Sequence, residues 1–242
     1  MNVPSKKVCV IIPAYNESGA IKNVVNSVKD CYPTADIIVI NDASTDNTGA
    51  IASTLGIPVL HLPINLGIGG AMQTGFKYAV KKGYDIAIQV DGDGQHNPTY
   101  IPTILKPIHE NKADVVIGSR FLHKESYRSS FMRLIGIRFC SYLISLATNR
   151  YIHDSTSGFR AYNKEALGFA ARYYPPDFPE PESIVTFLRN GFRVKEVPVA
   201  MQQRQSGISS IHPLKGTYFV ASNSIGIIMS SFKRKTRTIS HL

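Results

Sequence analysis

Short unbroken apolar runs alternate with longer amphipathic stretches through the first half of the chain. Val8–Ile12, Asp36–Ile40, Pro58–Leu62, Asp85–Val90 and Ala113–Gly118 read as strands. Helices are predicted between them: from about Ser18 to Lys29, from a cap at Ser44 or Thr45 to about Leu55, from Asn65-Leu-Gly-Ile-Gly-Gly70 to about Lys82, and near Tyr100–Glu110. This alternation implies an α/β fold with a mostly parallel, doubly wound sheet.

The second half is less regular. Phe131–Ala147 has helical periodicity, with Arg138, Ser141 and Ser145 on one side and Phe131, Ile135, Phe139, Tyr142 and Leu146 on a broad apolar side. A short helix starts at Lys164. The proline-rich run Pro175-Pro-Asp-Phe-Pro-Glu-Pro-Glu182 leads into a helix to Asn190, stopped by Gly191, and Phe192–Val199 reads as a strand. Gln203–Ser210 looks like a flexible loop. Residues 216–232 carry no charge. On a helical wheel Tyr218, Ala221, Ile225, Ile228, Met229 and Phe232 share a face, while Ser222, Asn223, Ser230 and Ser231 lie mostly elsewhere. Seventeen residues diluted by four serines and an asparagine are at the lower limit for a bilayer span. With Lys233, Arg234, Lys235 and Arg237 following, the pattern fits a helix lying in a membrane interface. Docking on the domain's own core is the other reading.

Composition narrows the class. At 242 residues with 43% hydrophobic content, the chain suits one α/β domain with a short appendage, or at most two small domains. Its net charge of +10 favours polyanions: nucleic acid, phosphorylated substrates or anionic lipid. Cys9, Cys31 and Cys140 are odd in number and follow no metal-ligand spacing. That suggests reduced thiols and a cytoplasmic location.

The chemistry concentrates at the end of the fourth strand. Asp85-Ile-Ala-Ile-Gln-Val90 breaks into Asp91-Gly92-Asp93-Gly94-Gln95, which puts two carboxylates into a glycine-rich turn. Such a pair can hold a hard divalent cation through oxygen, leaving positions open for substrate phosphates. Open α/β sheets bind ligands at these strand ends. A nucleic-acid-binding module would explain the charge but not this turn.

The ordered set Ile12-Pro-Ala-Tyr-Asn-Glu17, Asn41-Asp-Ala-Ser-Thr-Asp46, Asn65-x-Gly67-x-Gly69-Gly70, Asp91-Gly-Asp93-Gly-Gln95-His96-x-Pro98, Gly118-Ser-Arg120-Phe121 and Ser157-Gly-Phe-Arg160 resembles family 2 inverting glycosyltransferases. Within them it is most similar to the dolichyl- and polyprenyl-phosphate glycosyltransferases. The resemblance runs from about Val8 to Ser210. It implies a nucleotide-diphospho-sugar transferase (GT-A type) fold and a catalytic domain over residues 1–210, while the amphipathic pattern and basic tail make 211–242 a membrane-associating segment. It implies that Pro13, Tyr15, Glu17 and Asp42 bind the nucleotide. Asp91, Asp93 and Gln95 match the family's site for Mg²⁺ or Mn²⁺ and the diphosphate.

Arginines carry the acceptor half. Arg120, Arg138 and Arg204 lie in regions that related polyprenyl-phosphate enzymes use for the acceptor phosphate and donor diphosphate, with Arg133 the alternative to Arg138. Separated guanidiniums converging on one pocket suit a phosphate. Glu180 and Glu182 resemble an acidic site of the family, and Glu182 is assigned to orienting the sugar; Asp154 is another candidate. The expected partners are a nucleotide sugar, a polyprenyl phosphate, a membrane surface at its cytoplasmic face and a possible small membrane protein, with no nucleic acid. A relative acting on a glycan hydroxyl stays open, because it would need only a working base such as Glu182.

Overall fold

The structure, a computed structural model, describes residues 6–122, 131–176, 179–202 and 216–232, with the side chains of 131–133 and 216–222 outside that description. Seven strands form one sheet in the order β3-β2-β1-β4-β6-β5-β7. β1 (Val8–Ala14) lies at its centre with every residue buried. It pairs in parallel with β2 (Asp36–Asn41) on one side and β4 (Ile86–Gln89) on the other, so that Val10 faces both Ile37 and Ile88. A strand covered on both faces has no solvent side to make polar, which is why VCVII is written as an unbroken apolar run. Its side chains divide between the faces: Cys9 and Ile11 join one core, Val10 and Ile12 the other.

Helices α1 (Ile21–Cys31), α2 (Thr48–Ser53) and α4 (Ile101–His109) cover the Val10 face. Helices α3 (Gly67–Lys81), α6 (Lys164–Tyr173) and α7 (Pro179–Arg189) cover the Ile11 face. β3 (Val59–His61) is an edge strand, and β5 (Val115–Ser119) pairs in parallel with β7 (Val194–Pro198). The expected α/β sheet is therefore present, with one departure. β6 (Arg160–Asn163) enters between β4 and β5 and runs antiparallel to both. Its four residues, Arg-Ala-Tyr-Asn, contain no apolar run for periodicity to detect. A second departure is local: α2 begins at Thr48, and neither Ser44 nor Thr45 caps it. Those two residues bond to the loop after β1 instead, as described below.

α5 (Phe131–Thr148) and the C-terminal α8 (Gly216–Phe232) pack against each other and against α7. The apolar side of α5 is turned outward. Ile135, Phe139, Tyr142 and Leu146 are exposed, whereas Ile137, Cys140, Ser141 and Ile144 are buried. Arg138 and Ser141 accordingly do not share an environment: Arg138 is exposed and Ser141 is 0% accessible. In α8 the predicted apolar face also points out, through Ile225, Ile228, Met229 and Phe232, while Asn223, Ile227 and Ser230 are buried. No helix among the described residues is long and apolar enough to cross a membrane. All three cysteines are free, and burial pushes the Cys9 thiol up to about 12, which fits a packing role.

Candidate active site

The C-terminal ends of β1, β2 and β4 meet at one edge of the sheet, and the loops that leave them are laced together. Asn16, with φ of 56°, and Ala43, with φ of 55°, hold left-handed conformations that bend their loops towards each other. The Asn16 N–H donates to Ser44 Oγ at 3.1 Å, and Asn16 Oδ1 accepts from the Thr45 N–H at 2.8 Å. The Glu17 N–H donates to Thr48 Oγ1 at 2.8 Å, and Asp46 accepts from the Ser18 N–H at 3.1 Å. Pro13 is the last residue but one of β1, and its carbonyl accepts from the Gly92 N–H at 3.2 Å. Tyr15 stands exposed just beyond it. Asp42 is buried, and its Oδ1 accepts from the Leu66 N–H at 2.7 Å. Burial raises the Asp42 carboxyl pKa, against the lowering effect of the Leu66 and Gly67 amides. These residues thus form one wall, with a ring and two carboxylates presented from neighbouring strand ends.

The Asp91–Gln95 turn forms the floor. Asp91 Oδ1 accepts from Gln89 Nε2 at 3.0 Å. The Asp91 N–H donates to His96 Nδ1 at 2.9 Å. A ring nitrogen that accepts cannot carry the proton, so the neutral His96 is protonated on Nε2, which lies 3.5 Å from Asp91 Oδ2. The His96 ring is buried and stacked on Phe159, centroids 4.9 Å apart. Asp93 is buried and its Oδ1 accepts from the Gln95 N–H at 2.9 Å. Gly158 explains one motif glycine: a Cβ there would lie 2.8 Å from Gln89 Nε2 and 3.2 Å from Asp91 Oδ2. A side chain there would press on the Gln89 amide and on the Asp91 carboxylate.

No group of three or more His, Cys, Asp and Glu side chains is arranged to hold a metal among the described residues. Two carboxylates and the Gln95 amide on one turn nevertheless fit a hard cation that shares its coordination with a diphosphate. Such an ion takes few ligands from protein and several from substrate.

A third wall contains a buried chain of charges. Arg120 donates from Nε to Asp154 Oδ2 at 2.7 Å and from Nη2 to Asp154 Oδ1 at 2.6 Å, a two-pronged pair. Nη2 also reaches Thr156 Oγ1 at 2.7 Å. Asp154 is in turn fixed by Glu196, whose two carboxylate oxygens accept the backbone N–H groups of His153 and Asp154, each at 2.8 Å. Arg160, 0% exposed, spends itself on scaffolding: Nε to the Ser157 carbonyl at 2.7 Å, Nη1 to Ser183 Oγ at 2.9 Å, and Nη2 to the Glu180 carbonyl at 3.0 Å.

The structure separates the two glutamates of the proline-rich run. Burial raises the pKa of the Glu180 carboxyl; Arg160 opposes this, Asp91 adds to it, and Arg120 opposes it. Glu180 is therefore in the field of the floor and the third wall. Glu182, assigned from sequence to orienting the sugar, instead accepts from Ser230 Oγ of α8 at 2.6 Å and lines a cavity of about 340 Å³ with Tyr173 and Arg189. Arg138 is exposed on α5 and has no ion pair among the described residues. Arg204 lies outside the described residues; two residues before it, the Gln202 N–H donates to the Gln95 carbonyl at 2.9 Å. Glu196, Gln89 and His96 escaped the sequence reading as site residues. Gly158 was the available signal, since a glycine inside a motif at a strand end marks a close approach.

Residues 9–169 match the family described as Glycosyl transferase family 2. The chain is 30% identical over 218 residues to the polyprenol monophosphomannose synthase of Mycolicibacterium smegmatis, covering 86% of this chain and 82% of that protein. It is 33% identical to the UDP-N-acetylglucosamine–dolichyl-phosphate N-acetylglucosaminyltransferase of Methanococcus voltae, covering 80% and 85%. It is 32% identical to the undecaprenyl-phosphate mannosyltransferase of Micrococcus luteus, covering 85% and 87%. The fold is shared with glucosyl-3-phosphoglycerate synthase from Mycobacterium tuberculosis, crystallised with Mn²⁺, uridine diphosphate and phosphoglyceric acid, at a TM-score of 0.72 and 18% identity over 96% of this chain and 81% of that one. A family match over most of the sheet, with its motifs at the strand ends, makes this chain a member of glycosyl transferase family 2.

Proposed function

We propose that the enzyme moves a hexosyl or N-acetylhexosaminyl group from a UDP- or GDP-linked sugar to the phosphate of a polyprenyl phosphate, with inversion, at the cytoplasmic face of the membrane. The observation that carries the reading is that the Asp91–Asp93 turn and the buried Arg120–Asp154 pair both lie near enough to Glu180 for Asp91 and Arg120 to act on its carboxyl: oxygen donors for a cation and a guanidinium about one group. The wall of Pro13, Tyr15, Glu17 and Asp42 receives the nucleotide. Asp91, Asp93 and the Gln95 amide would hold Mg²⁺ or Mn²⁺, which supplies positive charge where the departing diphosphate gains negative charge.

An acceptor phosphate is already an anion at neutral pH, so no base is required. Its oxygen forms a bond to the anomeric carbon while the bond from that carbon to the nucleotide's phosphate oxygen breaks on the opposite face. The electron pair leaves with the nucleoside diphosphate, and the configuration inverts. Arg120, Arg138 and Arg204 serve the two phosphates, which must be held close despite their like charge. Glu180, rather than Glu182, contacts the sugar.

Incubating the enzyme with a panel of nucleotide sugars, a polyprenyl phosphate and Mg²⁺ or Mn²⁺, then analysing the lipid fraction by mass spectrometry, tests this. A phosphodiester-linked glycolipid that fails to form in chelator is the expected product. Transfer to a glycan hydroxyl with none to lipid would overturn the acceptor assignment.

A further inference from the structure

One oxygen of the Asp42 carboxylate is already engaged. Asp42 is buried just past the end of β2, and its Oδ1 accepts from the Leu66 N–H at 2.7 Å. That donor is fixed by the turn it belongs to. Asn65 Oδ1 accepts from the Gly67 N–H at 3.0 Å. Leu66 packs over Gly70, where an added Cβ would lie 2.5 Å from the Leu66 Cβ. An added Cβ at Gly69 would run into the carbonyl oxygens of Pro175 and Pro176. The start of α3 is thus wedged between Asp42 and the proline-rich run. Retreat of the Leu66 amide from Oδ1 would require α3 to move.

Nucleobases differ in what they set against a carboxylate. Guanine offers two adjacent donors, N1–H and its 2-amino group, and pairs with both oxygens as a guanidinium does. Adenine and cytosine carry an unprotonated ring nitrogen beside the amino group, and its lone pair faces the anion. Uracil offers a single donor, N3–H, between two carbonyl oxygens. A carboxylate with one oxygen held by a fixed backbone donor matches the uracil pattern. Oδ2 accepts N3–H, whereas the second donor of guanine would crowd onto an oxygen that already holds the Leu66 N–H.

We propose that the donor is a uridine nucleotide: Asp42 Oδ2 accepts from N3–H of uracil, and the Leu66 N–H on Oδ1 excludes guanine. The inference rests on the proposed nucleotide wall, narrows it to one base, and is independent of the acceptor. It also gives the Asn65-x-Gly67-x-Gly69-Gly70 motif a task, which is to hold the Leu66 amide on Asp42.

Titration calorimetry of the full chain in Mn²⁺ with UDP, GDP, CDP and ADP tests this without acceptor or turnover. UDP should bind at least about tenfold more tightly than each of the others. Asp42→Asn gives the sharper outcome. The Leu66 N–H needs the amide oxygen, so the NH₂ group must stand where Oδ2 stood. That group opposes N3–H of uracil and donates to the bare N3 of cytosine. The variant should lose affinity for UDP by at least about tenfold, gain affinity for CDP and so invert their order. A parent protein that binds GDP as tightly as UDP overturns the proposal and leaves the nucleotide wall standing. An Asp42→Asn variant that keeps the parent's order overturns it as well. If that variant fails to fold, the parent's ranking of the four nucleotides decides. Binding of none of the four would remove the nucleotide wall, and the base assignment with it. UDP binding with no glycolipid formed would remove the proposed acceptor and support the base assignment.

Discussion

The strand-end loops and the α5–α8 pair of this molecule are built on opposite rules. Around the strand ends, loops from separate strands are tied by short side-chain-to-backbone bonds such as Asn16 to Thr45 and Asp42 to Leu66, over two conventional apolar cores. In the pair, α5 and α8 bury polar groups and expose apolar ones, and both pack on α7. Under the proposed function, a water-soluble nucleotide sugar and a lipid phosphate place different demands on the two sides of one site.

The largest expected effect lies where the two regions join, at Arg120 and Asp154. Removing one member of a buried pair strands the other charge, at a cost of about 3–5 kcal/mol. Arg120→Ala should therefore lower Tm sharply as well as turnover, since Asp154 is 0% exposed. Arg120→Met with Asp154→Leu should recover much of the Tm but none of the activity. Recovery of both would make the pair scaffolding alone. Asp93→Asn comes next. It should cost roughly 10²–10³ in turnover with little change in Tm, because only the charge facing the departing diphosphate is lost. Full turnover of that variant in chelator would sink the metal assignment.

The same contrast explains what the sequence could say. Parallel strands buried on both faces leave continuous apolar runs, and each motif spans only a few residues at a strand end, so the sheet and the positions of the strand-end loops were legible. β6 was not, because four residues led by Arg160 carry no periodic signal. The orientation of α5 was not, because periodicity shows that a face is apolar without saying which way it points. That choice is made by Gly136, Cys140 and Ser141, buried at the seam with its neighbours. Glu180 and Glu182 were indistinguishable for a similar reason. Two residues apart on a helix they diverge by about 200°, and the sequence supplies no absolute phase.

Those two glutamates sharpen the comparison at a moderate level. Glu180→Gln should lower sugar transfer by about one to two decades, the range for losing a hydrogen bond to a charged group. Glu182→Gln should leave the chemistry nearly intact and loosen α8 through its bond to Ser230. pH gives an independent reading. The folded state holds the Glu180 proton more tightly than the unfolded chain does. Stability should then fall as pH rises from the ordinary glutamate value through the raised one, and Glu180→Gln should remove that slope. Thermal melts in chelator across the acid range check this. Equal slopes in the two proteins would move Glu180 out of the site.

The smallest expected effect belongs to Arg138. It is solvent-exposed on α5, so any phosphate it meets stays partly hydrated, and the contact lies at the low end of charge-assisted bonds, about 1.5 kcal/mol. Arg138→Ala should raise KM for the lipid acceptor by roughly tenfold and leave KM for the nucleotide sugar unchanged. The distinction from Arg120 is the informative part. Arg120 is fixed before any substrate arrives, whereas Arg138, exposed on α5, would gain its partner from the acceptor. Adding salt should therefore weaken the contribution of Arg138, because exposed charges are screened within a Debye length of about 8–10 Å, and spare that of Arg120. A salt-independent defect in Arg138→Ala would mean that α5 closes over the site when substrate binds. An unchanged KM for both substrates would make Arg138 an ordinary surface residue and leave acceptor recognition to Arg120 and the Arg204 segment.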